Sequence, residues 1–357
     1  MLITLLIFTL LFFILVVSHE AGHFFSARYF GIRVEEFGFG LPPRIKGIKK
    51  GNTIYSINLL PFGGFVKILG EEGGHAENPE SFGARPAWSR AIVLLAGVLA
   101  NVLMAYVAFT LLSYRGIPQS VEEKGNIPQN QVHISIVEIA NSSPAQDAGI
   151  ITGDEIKKIN GKSPVGIEEV QKIVAEGEGK ELLFEFERNG KTFTQKIIPR
   201  TNPPPGEGPL GIALLLTRIK KSTWYRAPMD GARITWNIGA GTVEGFWGII
   251  KNLIIAKKSA IQLTGPVGIF HITGEARSAG FNSLLMLFGI LSVNLAIINV
   301  LPFPGLDGGR LLFLAIEKIR RKKISNRVSS WVHSVGLALL IILMLAITYR
   351  DIAKIFS

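Results

Sequence analysis

The 357-residue sequence contains no cysteine. Disulfide bonds and thiolate metal sites are therefore both excluded, although this absence does not decide the redox compartment. Charged residues are also scarce, at 18% against 48% hydrophobic residues, a balance that is typical of membrane proteins. The net charge of +11 suits nucleic acid or anionic lipid, but no aromatic-basic nucleic-acid motif is evident and the basic residues flank apolar runs. We therefore expect a membrane protein without a nucleic-acid partner.

Four apolar runs can each supply the roughly 20 residues that a spanning helix needs. The first, Leu2 to Ser18, has neither the basic start nor the small-residue cleavage site of a signal peptide, so we expect a retained helix. The three later runs contain no Asp, Glu, Lys or Arg. The predicted transmembrane helices occupy residues 1–30, 91–113, 278–306 and 328–350.

Lysine and arginine residues predict the orientation of these helices. Nine of them lie between the first and second apolar runs, and seven lie between the third and fourth. The positive-inside rule therefore places the connections 31–90 and 307–327 on the cytoplasmic side. The long region between the second and third helices is then expected outside.

The outer region is expected to contain a small α+β domain over residues 125–200. Residues 132–139 mix alternation with β-branched side chains, which predicts a strand. Residues 181–199 alternate around Asn189-Gly190, a strong signal for a two-residue hairpin turn. This order of strands favours an antiparallel sheet.

The segment between these strands resembles a PDZ domain. Residues 142–162 contain S-P-A, A-G-I-x-x-G-D-x-I and I-N-G, and residues 166–177 have helical spacing. The resemblance implies that this domain binds a peptide or a protein C-terminus by adding a strand to a sheet edge.

Residues 201–277 are predicted to form a linker and an amphipathic membrane-surface region. The stretch 201–209 is rich in proline, which indicates a stiff linker, and residues 210–217 predict a strand. Residues 227–256 are apolar but contain four charged side chains, namely Asp230, Arg233, Glu244 and Lys251. We expect an amphipathic helix at the outer surface. A fifth span is the alternative, although it would separate the two basic loops by the membrane.

One part of the first cytoplasmic connection is too apolar for exposure to water. In residues 52–70 the first half alternates, Pro61 and the glycines at 63 and 64 predict a turn, and residues 65–69 return. We expect a membrane-associated β-hairpin that dips into the bilayer or lines a cavity, where non-helical backbone is tolerated.

Residues 19–23 read H-E-A-G-H, the H-E-x-x-H pattern. On a helix, positions i and i+4 share one face, so His19 and His23 can reach one ion. Glu20 is adjacent to that face and is predicted to hold a water molecule on the metal. A glutamate at membrane depth without a metal or a partner would be costly, which favours a metal site over two polar histidines at a helix end.

A catalytic zinc site needs three protein ligands and one open position. Asp307 ends the third apolar run, and the orientation rule places it at the same side and depth as the end of the first. Asp307 is therefore the predicted third ligand. His333, which begins the fourth span, and His271 remain alternatives.

These residues and motifs together resemble the bacterial site-2 proteases of the regulator-of-sigma-E type. The matching stretches are H-E-A-G-H, G-G-F-V-K-I-L-G-E (63–71), L-T-G-P-V-G-I (263–269) and N-V-L-P-F-P-G-L-D-G-G (299–309), around one PDZ domain. The resemblance implies a polytopic α-helical protein of the bacterial inner membrane. It also implies a zinc endopeptidase that cleaves transmembrane segments of membrane proteins, such as anti-sigma factors.

Carried over position by position, the resemblance assigns roles to ten residues. His19, His23 and Asp307 correspond to the Zn²⁺ ligands and Glu20 to the general base. The remaining six correspond to substrate-binding positions, namely Asn299, Pro302 and Pro304 in the broken helix and Gly63, Gly64 and Phe65 in the hairpin.

Two features depart from the family pattern. Residues 97–101 read G-V-L-A-N where family members often have G-P-x-x-N, and this chain has room for one PDZ domain where enterobacterial members have two. For Asn101 we favour hydrogen bonding between helices, whereas the role of Asn294 stays open.

The alternative function is a membrane scaffold that acts through its PDZ domain and has a structural metal site. Structural zinc sites are closed by four protein ligands, so a fourth ligand from His333 would favour this alternative. Glu20 favours the enzyme, because a structural site has no use for a base beside its ligands.

Overall fold

The computed structural model describes residues 1–71, 77–120, 133–188, 190–255, 264–322 and 324–356. Asn189 of the predicted turn and Leu263 of the L-T-G-P-V-G-I motif lie outside these residues. The chain divides into two compact units. The first contains residues 1–109, 231–273 and 287–357, and the second contains residues 110–230 and 274–286.

Seventeen helices and strands are present in the described residues. In chain order they are α1 (Leu2–Tyr29), β1 (Val34–Lys50), β2 (Thr53–Ile68), α2 (Ala87–Arg115), β3 (Ile117–Ser120), β4 (His133–Ile139), α3 (Pro144–Asp147), β5 (Glu155–Ile159), α4 (Ile167–Glu176), β6 (Leu182–Arg188), β7 (Lys191–Ile197), β8 (Ile212–Lys220), α5 (Ala227–Ile254), α6 (Pro266–Ser278), α7 (Phe281–Val300), α8 (Asp307–Arg320) and α9 (Asn326–Phe356).

Four of the described helices, α1, α2, α7 and α9, are long and apolar enough to cross a membrane. This finding agrees with the prediction of about four spans. The third helix is shorter than the predicted 278–306. It begins at Phe281 and ends at Val300, because Pro302 and Pro304 lack the amide hydrogen that a continuing helix would need. The residues before it form the separate helix α6.

The first unit contains a two-stranded sheet of β1 and β2. The predicted hairpin over 52–70 does not pair with itself. Instead, residues 36–39 of β1 pair with β2 on both sides. On one side they pair with residues 64–67, which run in the opposite direction, and on the other with residues 54–57, which run in the same direction. The prediction missed β1 because its segment 41–50 contains two prolines, four basic residues and one glycine, which weaken a strand signal.

The second unit contains a six-stranded antiparallel sheet in the order β3-β8-β4-β5-β6-β7. Helix α4 buries Val170 and Val174 against the alternate side chains Leu182, Phe184 and Phe186 of β6. The rings of Phe184 and Phe186 stack with centroids 5.5 Å apart. Burying such aromatic side chains is the main source of stability in a small sheet domain.

The sheet extends beyond the predicted domain limits of 125–200. Strand β8 lies between β3 and β4, so the proline-rich stretch 201–209 is a loop within the domain rather than a linker after it. The predicted strand at 210–217 is the start of β8. Its place in the sheet depends on pairing with β4, whose sequence is about 80 residues away.

Candidate metal centre

Helix α1 positions His19 and His23 on one face, as i and i+4 spacing requires. Both side chains are buried, with 8% of each residue exposed. Their Nε2 atoms lie 3.1 Å apart. Because two unprotonated nitrogen atoms repel each other at this distance, the arrangement indicates a shared proton or a shared cation.

The third member of the cluster comes from the first residue of α8. Asp307 Oδ2 lies 3.0 Å from His19 Nε2 and 3.1 Å from His23 Nε2. The turn that precedes α8 is tight, and a Cβ atom at Gly308 would collide with the carbonyl oxygens of Val300 and Leu301. Glycine at this position therefore allows the chain to fold back and present Asp307 to α1.

These three side chains are the one group in the described residues whose ligand atoms could hold a metal ion together. Zinc bonds of about 2.0 Å at tetrahedral angles separate ligand atoms by about 3.3 Å. The observed separations of 3.0–3.1 Å approach that value. Two imidazoles and one carboxylate are also a donor set that zinc accepts in catalytic sites, so these residues fit the ion.

The other ring nitrogen of each histidine contacts helix α2. His23 Nδ1 lies 2.8 Å from the carbonyl oxygen of Val93. A carbonyl can only accept, so Nδ1 carries the hydrogen and the lone pair is on Nε2. This backbone contact thus selects the tautomer that a metal ligand needs.

The side-chain amide of Asn101 contacts the Nδ1 atom of His19. It lies 3.4 Å from His19 Nδ1 and 3.0 Å from Ser18 Oγ, and it is fully buried. Ser18 donates its single hydroxyl hydrogen to the carbonyl of Leu15 at 2.9 Å. As placed, the amide nitrogen of Asn101 lies beside His19 Nδ1 and the amide oxygen lies beside Ser18 Oγ. With the amide oxygen and nitrogen exchanged, the nitrogen donates to Ser18 and the oxygen accepts from His19 Nδ1–H, so all contacts are satisfied together. Asn101 therefore serves as a positioning residue for His19.

Close packing of α2 on α1 makes both contacts possible. A Cβ atom at Gly97 would lie 2.8 Å from the Cε1 atoms of both histidines and would collide with His23 Nε2. Any side chain larger than hydrogen at this position would move the imidazoles or the helix. The G-V-L-A-N stretch, which spans Gly97 and Asn101, is thus part of the site.

A cavity of about 720 Å³ lies over the cluster. Glu20 lines it on α1, and residues 64–71 line it on β2 and the turn that follows. A side chain at Gly64 would contact Glu20 Cγ at 3.3 Å and Val16 at 2.9 Å. The absence of a side chain at Gly64 therefore leaves room beside the Glu20 carboxyl.

The mouth of this cavity contains an ion pair between Arg310 and Glu71. Arg310 lies one turn after Asp307 in α8, and Glu71 follows β2. The pair therefore connects the element that supplies Asp307 with the strand that lines the cavity. Sequence reasoning missed it, although Glu71 ends one motif that carried the family resemblance and Arg310 directly follows another.

The predicted site residues divide into two groups in the structure. Six line the cavity, namely His19, Glu20, His23, Gly64, Phe65 and Asp307. The other four, namely Gly63, Asn299, Pro302 and Pro304, are not among the cavity-lining residues. The backbone of Pro304 packs against Gly336 in α9.

Two residues with open roles have clear partners. His333 Nδ1 accepts a hydrogen bond from the Gly305 amide at 3.0 Å, so His333 supports the turn before Asp307 and is not part of the metal cluster. Asn294 Oδ1 accepts a hydrogen bond from Thr242 of α5 at 2.8 Å. Asn294 thus connects two helices.

Comparison with known proteins agrees with the geometry. The sequence model described as Peptidase family M50 matches residues 7–343. A protein of Clostridium perfringens, whose name assigns it provisionally to the zinc metalloproteases, is 34% identical over 97% of this chain and 98% of its own length. The zinc metalloprotease RasP of Shouchella clausii is 28% identical over 99% of this chain and all of its own length. The regulator of sigma-W protease RasP of Bacillus subtilis is 27% identical over 99% of both chains.

Proposed function

Since the chain belongs to Peptidase family M50 and is a zinc metalloprotease of the membrane, we propose that it cleaves peptide bonds within transmembrane segments of other proteins. In this proposal His19, His23 and Asp307 hold the zinc ion and Glu20 is the general base. The observation that carries it is the convergence of three ligand atoms within 3.1 Å of one another, two from helix α1 and one from the start of α8, with Glu20 in the same cavity.

The protein side chains supply orientation and charge. A zinc ion bound there would lower the pKa of a water molecule to about 7 and would polarise the substrate carbonyl. His23 presents its Nε2 lone pair because the Val93 carbonyl accepts from its Nδ1–H, and His19 does the same when the Asn101 amide oxygen faces its Nδ1 atom. Asp307 contributes one negative charge, so the ligand set leaves about one net positive charge at the centre.

Glu20 handles the proton in this mechanism. Its carboxylate oxygens accept a proton from the attacking water and later donate it to the leaving amine. The space beside Gly64 lets the Glu20 carboxyl face the cavity.

The edge of β2 is suited to hold the substrate. Residues 64–68 pair with β1 on one side, and no other described strand pairs with them. The same residues line the cavity beside Glu20. A membrane helix satisfies its amides internally, so cleaving it requires other partners for the unwound backbone. An unpaired strand edge supplies such partners by strand addition, and Phe65 would contact the substrate side chains.

Four of the substrate-binding assignments rest on the family resemblance. Gly63 adjoins the strand edge, and Asn299, Pro302 and Pro304 lie in or near the break between α7 and α8. We propose that Asn299 contributes a substrate contact when the transmembrane segment enters. Asn294 and Asn101 have partners within the protein, which supports structural or positioning roles for them.

The proposed location is the bacterial inner membrane. Both basic connections, 31–90 and 307–327, then face the cytoplasm, where the active site opens, and the six-stranded sheet lies outside. We propose that this sheet is a PDZ domain that filters substrates by size or binds a C-terminus left by a first cut. Anti-sigma factors are the proposed substrates, since one relative is named as a regulator of sigma-W protease.

A scaffold with a structural metal site is the second candidate. It would require a fourth protein ligand, and the described residues supply three. His333, the expected fourth, is engaged with the Gly305 amide. These contacts favour the enzyme.

The test is cleavage of a single-span model substrate in proteoliposomes by Glu20→Gln and Asp307→Asn variants. We expect Glu20→Gln to retain zinc and lose cleavage, and Asp307→Asn to lose both. Glu244→Gln and Asp147→Asn, which change the same chemical groups away from the cavity, should match the parent. Parent-like cleavage by either site variant would show that the role assigned to that residue is wrong.

A further inference from the structure

A second cavity, of about 390 Å³, lies at the end of α1 that is remote from the chain start. Its charged lining residues are Arg28 at the last turn of α1, Arg33 just before β1, Lys50 at the end of β1, and Glu80. The proposed mechanism uses none of them. Three cations face one carboxylate, so the cavity carries a net charge of about +2 at neutral pH.

The three cations are available to a ligand. Arg28, Arg33 and Lys50 are all exposed, and within the described ranges none of them forms an ion pair. The guanidinium of Arg28 lies 5.4 Å from the ring centroid of Phe24, and this contact holds the side chain in place. Grouped cations without partners repel one another, so a bound anion would stabilise the arrangement.

Exposed aromatic side chains indicate the depth of this cavity. Tyr29 is 84% exposed and Phe25 is 69% exposed on the same end of α1, and Trp88 is 61% exposed at the start of α2. Tryptophan and tyrosine concentrate at the membrane–water interface, at the level of the headgroups. The cations therefore lie where lipid phosphates are, with an apolar helix on one side for the acyl chains.

From charge, depth and size together, we propose that this cavity binds the phosphate group of an anionic phospholipid. Basic pockets beside membrane helices on the cytoplasmic side recognise such headgroups. Because Lys50 is the last residue of β1 and Arg28 belongs to α1, a bound lipid would connect the substrate-presenting sheet to the helix that contains His19 and His23. The proposal uses the membrane depth inferred above but does not depend on proteolysis.

The experiment titrates the full-length protein, in phosphatidylcholine-containing mixed micelles, with fluorescent phosphatidylglycerol. The test variant is R28Q/R33Q/K50Q. The matched control is R320Q/R321Q/K322Q, which removes two arginines and one lysine from exposed positions on the same proposed side of the membrane. We expect the test variant to bind phosphatidylglycerol on the order of tenfold more weakly than the parent, whereas the control stays within about twofold.

Three results would overturn the proposal. They are parent-like binding by the test variant, an equal loss in the control, and displacement of the lipid by millimolar inorganic phosphate, which would indicate a site for soluble phosphate. If the triple variant fails to fold, R33Q alone should weaken binding and R33K should restore it. Zinc content and substrate cleavage, measured in parallel, separate failure of this site from failure of the proposed function.

Discussion

Replacing Gly97 by alanine tests the closest contact at the metal centre. The new Cβ atom would lie 2.8 Å from the Cε1 atoms of His19 and His23, whereas ordinary carbon contacts begin near 3.4 Å. The imidazoles or helix α2 must therefore move by about 0.6 Å or more. The ligand atoms are now 3.0–3.1 Å apart, so a shift of this size is a large fraction of a ligand separation.

Gly97→Ala is expected to have two opposing effects, one on helix stability and one on metal binding, and they can be measured separately. Alanine favours a helix interior over glycine by about 1 kcal/mol, so thermal unfolding should change little. Displaced ligands weaken metal binding, and changes around metal ligands typically cost about 10- to 100-fold in affinity or activity. We therefore expect normal folding with zinc affinity and cleavage reduced by about that factor.

The assay compares zinc retention during dialysis with cleavage of a single-span substrate in proteoliposomes. Gly241→Ala is the matched control, because Gly241 lies in α5 and a Cβ atom there would meet no atom within 4 Å. A Gly97→Ala variant with the zinc affinity and cleavage rate of the parent would refute the close approach of α2 to the histidines. A variant that unfolds at lower temperature would instead indicate that the clash disrupts helix packing.

Three further predictions concern other contacts. Asn101→Ala should lower zinc affinity about 10- to 100-fold, while Asn101→Asp, which keeps an oxygen for His19 Nδ1–H, should retain more of it by the same dialysis measurement. Glu71→Gln and Arg310→Gln should each slow cleavage. The double variant should be little slower than either single variant, because the two residues form one ion pair. Additive losses in the cleavage rates of this double-mutant cycle would contradict the prediction. Arg188→Gln should destabilise the sheet domain by about 3 kcal/mol in denaturant unfolding, since it leaves the fully buried Asp154 without its ion-pair partner. The control Lys196→Gln, which breaks an exposed ion pair, should change the free energy of unfolding by less than about 1 kcal/mol.

Several features of the fold were predictable because their signals are local. The four spanning helices follow from uninterrupted apolar runs, and their bounds are close to the predicted ones where no proline or glycine intervenes. The strands β4, β6 and β7 and the helix α4 follow from short-range alternation and helical spacing. The i and i+4 spacing of His19 and His23 likewise predicts one face of α1, and both side chains are on it.

The missed elements depend on partners far away in the chain. Strand β1 has a weak local signal and is stabilised by pairing with two segments of β2. The strand β8 was predicted, but its position inside the six-stranded sheet comes from pairing with β4. Residues 307–327 were predicted as a basic loop because they connect two apolar runs, yet residues 307–320 form the amphipathic helix α8.

By itself, the sequence determined the membrane character of the chain and the number of helices able to span a membrane, and it predicted a common depth for His19, His23 and Asp307, because hydropathy and charge act residue by residue. Only the tertiary structure decided which residues at that depth meet. Packing of α2 and α8 on α1 brings Asp307 and Asn101 to the histidines and leaves His333 with Gly305. Such choices depend on side-chain volumes and on partners far apart in the chain, such as His23 and Asp307, which are separated by 284 residues, and no local pattern encodes them.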